Sequence, residues 1–215
     1  AGQGSLADYA RAALAAGLTS MGFSDHAPVD FVTEWTMPLD RLAAYHGEVQ
    51  SLKAAYRGQI ELHTGLEMDY IPGIREWQRQ QVLSLGWDYV IGSIHYLGDA
   101  PPGQEPWSID ESRQAFERVL HEQCAGDMRR LADLYFATMR DMVLAGDIDI
   151  VGHFDYIKRY NDHSRYFSEG ATWYQRLVEE TLRVIAGKGL LVEVNTGGWR
   201  CPCGSAWPTR WILHR

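Results

Sequence analysis

The chain has 215 residues, 46% of them hydrophobic and 22% charged, which is an ordinary globular balance and enough for one domain with a sizeable core. Its net charge of -8 argues against a general nucleic-acid binder, but not against a phosphorylated substrate, because metals or a few local cations reverse the field inside an acidic protein. No run approaches the roughly 18 apolar residues of a membrane span, the start is polar with no basic leader, and three cysteines make no disulfide framework, so a cytoplasmic location is expected.

The first predicted element is a helix over residues 5–16, with Ala, Leu and Tyr at helical spacing, Ser5 as N-cap and Gly17 as its stop. A short apolar run, 18–24, then ends in Ser24-Asp25-His26 and reads as a strand tip. Residues 39–56 form a second amphipathic helix closed by Gly58. The segment 60–67 alternates and reads as a strand. Residues 74–85 are helical and 89–94 a strand. A long helical stretch covers 109–145, with a break near Gly126. A strand over 148–152, a helix over 170–186 closed by Gly187 and Gly189, and a strand over 190–195 follow. Helices and short apolar strands in alternation predict a parallel α/β architecture in one domain.

The pattern does not separate a barrel from an open sheet, but the polar residues help. Asp25-His26, Glu67, Ser93 to His95, His153 to Asp155 and Glu193 to Asn195 all fall at the C-terminal ends of predicted strands. In a β/α barrel these tips converge on one face, where active sites sit. An open sheet gathers them only at its switch point. A single histidine at a strand end reads as readily as a structural one. Three histidines and a glutamate at four strand ends read as ligands, since imidazole and carboxylate hold Zn, Mn or Fe. His46 and His121 lie inside helices, His163 in a polar loop and His214 near the end. His63 shares the facing of Glu67 and reads as structural.

Ser24-Asp25-His26, Gly65-Leu66-Glu67, Ile91-Gly92-Ser93-Ile94-His95-Tyr96, Gly152-His153-Phe154-Asp155 and Glu193-Val194-Asn195-Thr196 resemble, in order, the motifs of the PHP (polymerase and histidinol phosphatase) family. The segments Gly92 to Tyr96 and Val194 to Arg200 are especially similar to its histidinol-phosphate phosphatase branch. The resemblance covers nearly the whole chain and implies a distorted (β/α)7 barrel holding two or three divalent metal ions. It places His26, Glu67, His95 and His153 at ligand positions, with Glu67 as the bridging carboxylate. Asp25 and Asp155 fall beside ligands and are expected to orient them. Arg200 matches a phosphate-binding arginine, and Arg159 or Lys158 is expected to supply a second positive contact. Glu67, His95 and Arg200 are thus the residues expected to carry the reaction.

The family's opening His-x-His pair and closing Asp-x-His motif do not occur. The resemblance therefore implies a barrel lacking its first and last strands and about four ligands, expected to be weak or inactive in catalysis as it stands and prone to aggregate. Residues 209–215 read as the start of a helix. The function implied is metal-dependent hydrolysis of a small phosphomonoester, L-histidinol phosphate, with no nucleic acid or membrane as partner. The alternatives are a PHP phosphoesterase acting on nucleotides or DNA ends, an amidohydrolase-like barrel, and a degenerate barrel without catalysis. The amidohydrolase reading usually needs a carboxylated lysine in a barrel strand, and no lysine lies in a predicted strand. Cys201-Pro202-Cys203 has the wrong spacing for a Cys-x-x-Cys site. Trp35, Tyr70, Tyr96, Trp107 and Trp199 sit mostly in loops after strands, where they line a pocket or pack its rim. The Pro- and Gly-rich stretch 99–107 is expected to be a loop near the mouth.

Overall fold

The computed structural model describes residues 3–98 and 105–215. Helix α1 (Leu6–Ala15) starts at a capping box, in which Ser5 accepts from the Asp8 amide while Asp8 returns the bond to Ser5. Strand β1 (Ser20–His26), helix α2 (Leu39–Ala55), strand β2 (Glu61–Asp69), helix α3 (Arg75–Gln81) and strand β3 (Tyr89–Ser93) follow. A two-residue antiparallel pair, β4 (Tyr96–Leu97) and β5 (Trp107–Ser108), precedes helices α4 (Arg113–Cys124) and α5 (Met128–Ala145). These helices separate where Ala125 and Gly126 both take positive φ and Asp127 caps the next turn. Strand β6 (Ile150–Val151), helix α6 (Thr172–Lys188) and strand β7 (Leu191–Val192) complete the set.

The main sheet is parallel, in the order β1-β2-β3-β6-β7. Strand alternation divides it into two faces. Leu62, Leu66, Met68, Val90 and Val151 are buried on the face that the helices cover. The other face carries His26 opposite Glu67, and Asp69 opposite Ser93. The Tyr89 ring lies across this second face. A Cβ on Gly22 would come within 2.2 Å of its hydroxyl, and one on Gly65 within 2.4 Å of its ring. Only glycine leaves room for the ring, which anchors through a 3.0 Å bond from its hydroxyl to the Phe23 carbonyl. Among the described residues β1 and β7 are the outer strands of this sheet, in keeping with the expected α/β, barrel-type arrangement.

The predicted elements recur with shifted bounds. The strand expected at 60–67 runs on to Asp69. Those expected at 148–152 and 190–195 shorten to two residues each, because the chain turns at His153 (φ 21°) and Asn195 bridges to Trp207 instead. The helix expected at 74–85 is α3 flanked by single 3-10 turns. The expected final helix is only a 3-10 turn, Ile212–His214. Of the expected mouth loop, residues 99–104 lie outside the described residues, and Trp107 belongs to the unforeseen β4–β5 pair. No described helix is long and apolar enough to cross a membrane.

Candidate metal centre

Four strand ends build the centre. His26 ends β1, Glu67 and Asp69 close β2, His95 follows β3 by two residues, and His153 follows β6. Glu67 Oε1 lies 3.0 Å from His153 Nε2 and accepts a 2.7 Å bond from Ser93 Oγ. Nε2 of His95 is 3.8 Å from the same oxygen. The other nitrogen of His95, Nδ1, is 2.7 Å from Asp69 Oδ1. The donor atoms form two overlapping groups, His26–Asp69–His95 and Glu67–His95–His153, each with its atoms within 4.8 Å of one another. His95 belongs to both.

His153 stands in a backbone conformation that side chains rarely adopt, with φ at 21°. Hydrogen bonds and ring packing hold it there. Its N–H donates to Glu193 Oε2 at 2.9 Å, and Asn195 Nδ2 steadies that carboxylate from the other side at 3.1 Å. Its ring stacks on Tyr156, centroids 4.3 Å apart, and Trp207 packs edge-on against Tyr156 at 4.7 Å.

The electrostatics favour a cation. Burial opposes ionisation of Glu67, yet the hydrogen bond and charge of His153, with the charges of His95 and His26, hold it well below the usual carboxylate range. Burial alone would push His95 down, but Asp69, with Asp110 and Glu67 behind it, raises it to about 10. Glu67 is thus held as a carboxylate, and positive charge is drawn to His95. Several polar atoms are also buried without a partner: His26 Nδ1, His153 Nδ1 and Asp69 Oδ2. Orphaned nitrogens and a spare carboxylate oxygen, in a nest of three imidazoles and two carboxylates, fit divalent metal ions. Asp69 serves twice in that arrangement. Its Oδ1 fixes the His95 ring, as a carboxylate does behind a ligating histidine, and its Oδ2 is left free.

The structure therefore brings His26, Glu67, His95 and His153 together. It adds Asp69 and Ser93 in roles that sequence reasoning missed. Strand alternation was the available signal for Asp69, which shares the facing of Glu67. Asp25 does not join the centre. Adjacent strand residues point to opposite faces, so Asp25 lies exposed on the helix side, in a groove with Arg41, Tyr45 and Glu48. Asp155 does not bond a histidine either. The turn at Tyr156–Lys158 carries it away from the imidazoles into a buried ion pair with Lys158, 2.8 Å apart.

Of the two arginines, Arg200 is exposed, and no hydrogen bond or ion pair of its side chain ties it to the cluster. Arg159 is half-buried. Its Nη1 donates to Tyr156 Oη at 2.7 Å and lies 3.3 Å from Cys201 Sγ, with the guanidinium over the rings of Tyr156 and Tyr160. No carboxylate among the described residues lies within 4.0 Å of it. Tyr156 stacks on His153, so an anion-seeking guanidinium stands one ring away from the centre. The cysteines of Cys-Pro-Cys are free thiols packed around this arginine.

Comparison with known proteins bears on the same fold. The PHP domain family profile matches residues 1–197. A curated relative from Deinococcus radiodurans, "Probable histidinol-phosphatase", is 33% identical over 94% of this chain and 70% of its own length. "Histidinol-phosphatase" of Bacillus subtilis is 26% identical over 97% of this chain and 81% of its own. The crystal structure of histidinol phosphate phosphatase from Lactococcus lactis, complexed with zinc, L-histidinol and phosphate, superposes with a TM-score of 0.70 at 23% identity. It covers 94% of this chain and 71% of that one. That likeness establishes a shared fold.

Proposed function

This chain belongs to the PHP domain family, and on that membership and the clustered ligand set we propose that it is a metal-dependent phosphomonoesterase. It hydrolyses L-histidinol phosphate to L-histidinol and phosphate, a late step of histidine biosynthesis, in the cytoplasm. The observation that carries this reading is the pair of ligand groups sharing His95. Their spacing suits at least two divalent ions, of Zn, Mn or Fe. The rival reading, a barrel that kept its fold and lost its metals, sits poorly with three imidazoles and two carboxylates still converging.

Divalent ions held there would polarise the phosphoryl group and make an attacking water acidic enough to lose its proton near neutral pH. The protein's own residues prepare the ground. Ser93 and His153 both engage Oε1 of Glu67, fixing the carboxylate plane. Asp69 sets the tautomer and tilt of His95. Arg159, unpaired by any described carboxylate and backed by two tyrosine rings, is placed to meet phosphoryl oxygens as their charge redistributes. Arg200 ends the 3-10 turn Thr196–Arg200, is exposed, and in this reading supplies a second contact to the phosphoryl group. Ionised Glu67 contributes negative charge that binds ions rather than the substrate itself.

The test is release of inorganic phosphate from L-histidinol phosphate by the chain reconstituted with zinc or manganese, beside a chelator-treated sample and the His153→Ala variant. Weak phosphate release that needs the metal and fails in H153A is the expected result. Metal-independent release, or no metal bound by the wild-type chain, would sink the proposal.

A further inference from the structure

Trp35 and Trp199 are the tryptophans left exposed among the described residues, Trp35 at 38%. The position of Trp35 is not that of a stray surface residue. The loop after β1 is tied back by the Met37 N–H to the His26 carbonyl at 3.1 Å, and the Trp35 N–H bonds Thr33 Oγ1 at 3.2 Å. These bonds bring the indole edge-on to two ligand histidines, with ring centroids 4.8 Å from His26 and 5.6 Å from His95. Tyr96 supports it, stacked at 5.9 Å with only 20° between the ring planes. Phe31 braces Tyr96 from another side, edge-on at 5.5 Å. A rigid aromatic wall thus rises directly beside the ligand cluster and still leaves part of an indole uncovered.

Burying that surface costs nothing further in conformational entropy, because the ring is already fixed, so it is prepared for a flat partner. Resting on the phosphatase reading above, we propose that Trp35 is the specificity-determining residue of the leaving-group pocket and receives the nitrogen heteroaromatic ring of the alcohol. The dimensions agree. In an L-histidinol ester the carbon chain holds the ring roughly 5 Å from the ester oxygen when extended, by ordinary bond lengths. A phosphoryl group at the ligand cluster therefore puts the imidazole within reach of an indole whose centroid is 4.8 Å from the His26 ring. A protonated imidazole would gain from the indole's electron-rich face as well.

Two measurements on the zinc-loaded chain test this, using wild type, Trp35→Leu and Trp35→Phe. The first is the ratio of kcat/KM on L-histidinol phosphate to that on ethanolamine phosphate, which lacks the ring. The second is the affinity for L-histidinol by calorimetry, which needs no turnover. We expect W35L to lower the specificity ratio and the L-histidinol affinity by roughly tenfold, and W35F to keep most of both. Equal effects on the two esters, or an L-histidinol affinity untouched by W35L, would overturn the role of Trp35 while leaving the phosphatase reading in place. A wild type that binds L-histidinol through Trp35 yet releases no phosphate would do the reverse. A wild type that does not bind L-histidinol would overturn the inference outright.

Discussion

Replacing Asp155 with alanine should destabilise the fold by about 3–5 kcal/mol, the usual loss when one half of a buried ion pair is removed. Asp155 and Lys158 have fully buried side chains, with Nζ and Oδ2 2.8 Å apart. All three ammonium protons are placed: on Asp155, on the Ala206 carbonyl at 3.0 Å, and on the Thr209 hydroxyl. Asp155 Oδ2 in turn accepts from the Thr209 N–H at 3.0 Å and its hydroxyl at 2.7 Å. Removing the carboxylate strands a cation where no water reaches it. Removing the cation is milder, because a buried carboxyl can take up a proton. Burial already raises the Asp155 pKa, and Lys158 is the foremost group opposing that rise. Lys158→Met should therefore cost about 1–3 kcal/mol at neutral pH. The sign with pH follows from linkage. In K158M the folded pKa of Asp155 lies further above its unfolded value of about 3.9, so the folded state holds a proton that the unfolded state has lost. The variant's stability is then fullest in acid and falls as pH rises through the folded pKa. Urea unfolding followed by circular dichroism, in chelator at pH 5 and pH 7.5, reads both effects. An Asp155→Ala loss below about 1 kcal/mol, or a K158M loss as large as that of D155A, would refute the buried-pair account.

Ser93→Ala should weaken zinc binding by about tenfold to a hundredfold, since it frees the Glu67 carboxylate to turn. Gly152→Ala should do the same from the next strand, because its Cβ would stand 2.7 Å from Ser93 Oγ and 2.8 Å from Ile91 Cγ2; calorimetry showing full zinc affinity in either variant would remove Ser93 from the centre. Arg159→Met should reduce kcat/KM on L-histidinol phosphate by about a hundredfold, and more than Arg200→Met does, because Arg159 is fixed on the Tyr156 ring that stacks on His153; the reverse order in steady-state kinetics would return the phosphate to Arg200. Asp147 is pulled below the usual carboxylate range by hydrogen bonds from Arg79 and Arg75, which outweigh its burial. Its stabilisation is thus complete above the unfolded pKa of about 3.9 and lost as pH falls through the folded value. Asp147→Asn should flatten that acid limb of a urea-midpoint profile, and an unchanged limb would show that other carboxylates set it.

The fold was legible where local patterns decide it. Ser5 with Asp8 marks the first helix start, and the break at Ala125 and Gly126 follows from a glycine after a helical run. The four ligands were legible because each ends an apolar run, and the tips of parallel strands converge. What stayed hidden depends on contacts distant in sequence. Asp155 sits two residues after His153, and nearness along the chain suggested nearness in space. Its true partners, Lys158 and Thr209, could not be read from one motif, as Thr209 lies 54 residues away. Asp25 failed for a local reason, since alternation already turned it from the face of His26. Asp69 was missed because the strand was ended at Glu67, one alternation short.

These two kinds of contact hold the centre with unequal firmness. Glu67, Asp69 and His26 ride on strands locked in register, His26 directly opposite Glu67. His153 has no such frame. It leaves a two-residue strand in a strained conformation and relies on Glu193 at its amide and Tyr156 at its ring. Tyr156 in turn leans on Trp207, two residues before Thr209, which the Asp155–Lys158 pair grips. The segment around 207–209 thus acts on the centre through a chain of packed rings, without touching a ligand other than His153. Loosening that grip should cost metal affinity as well as stability. In zinc titrations D155A should lose affinity under conditions where it is still folded by circular dichroism, and Trp207→Leu should do so with the ion pair intact. Zinc affinity equal to wild type in both folded variants would show that His153 holds its place unaided.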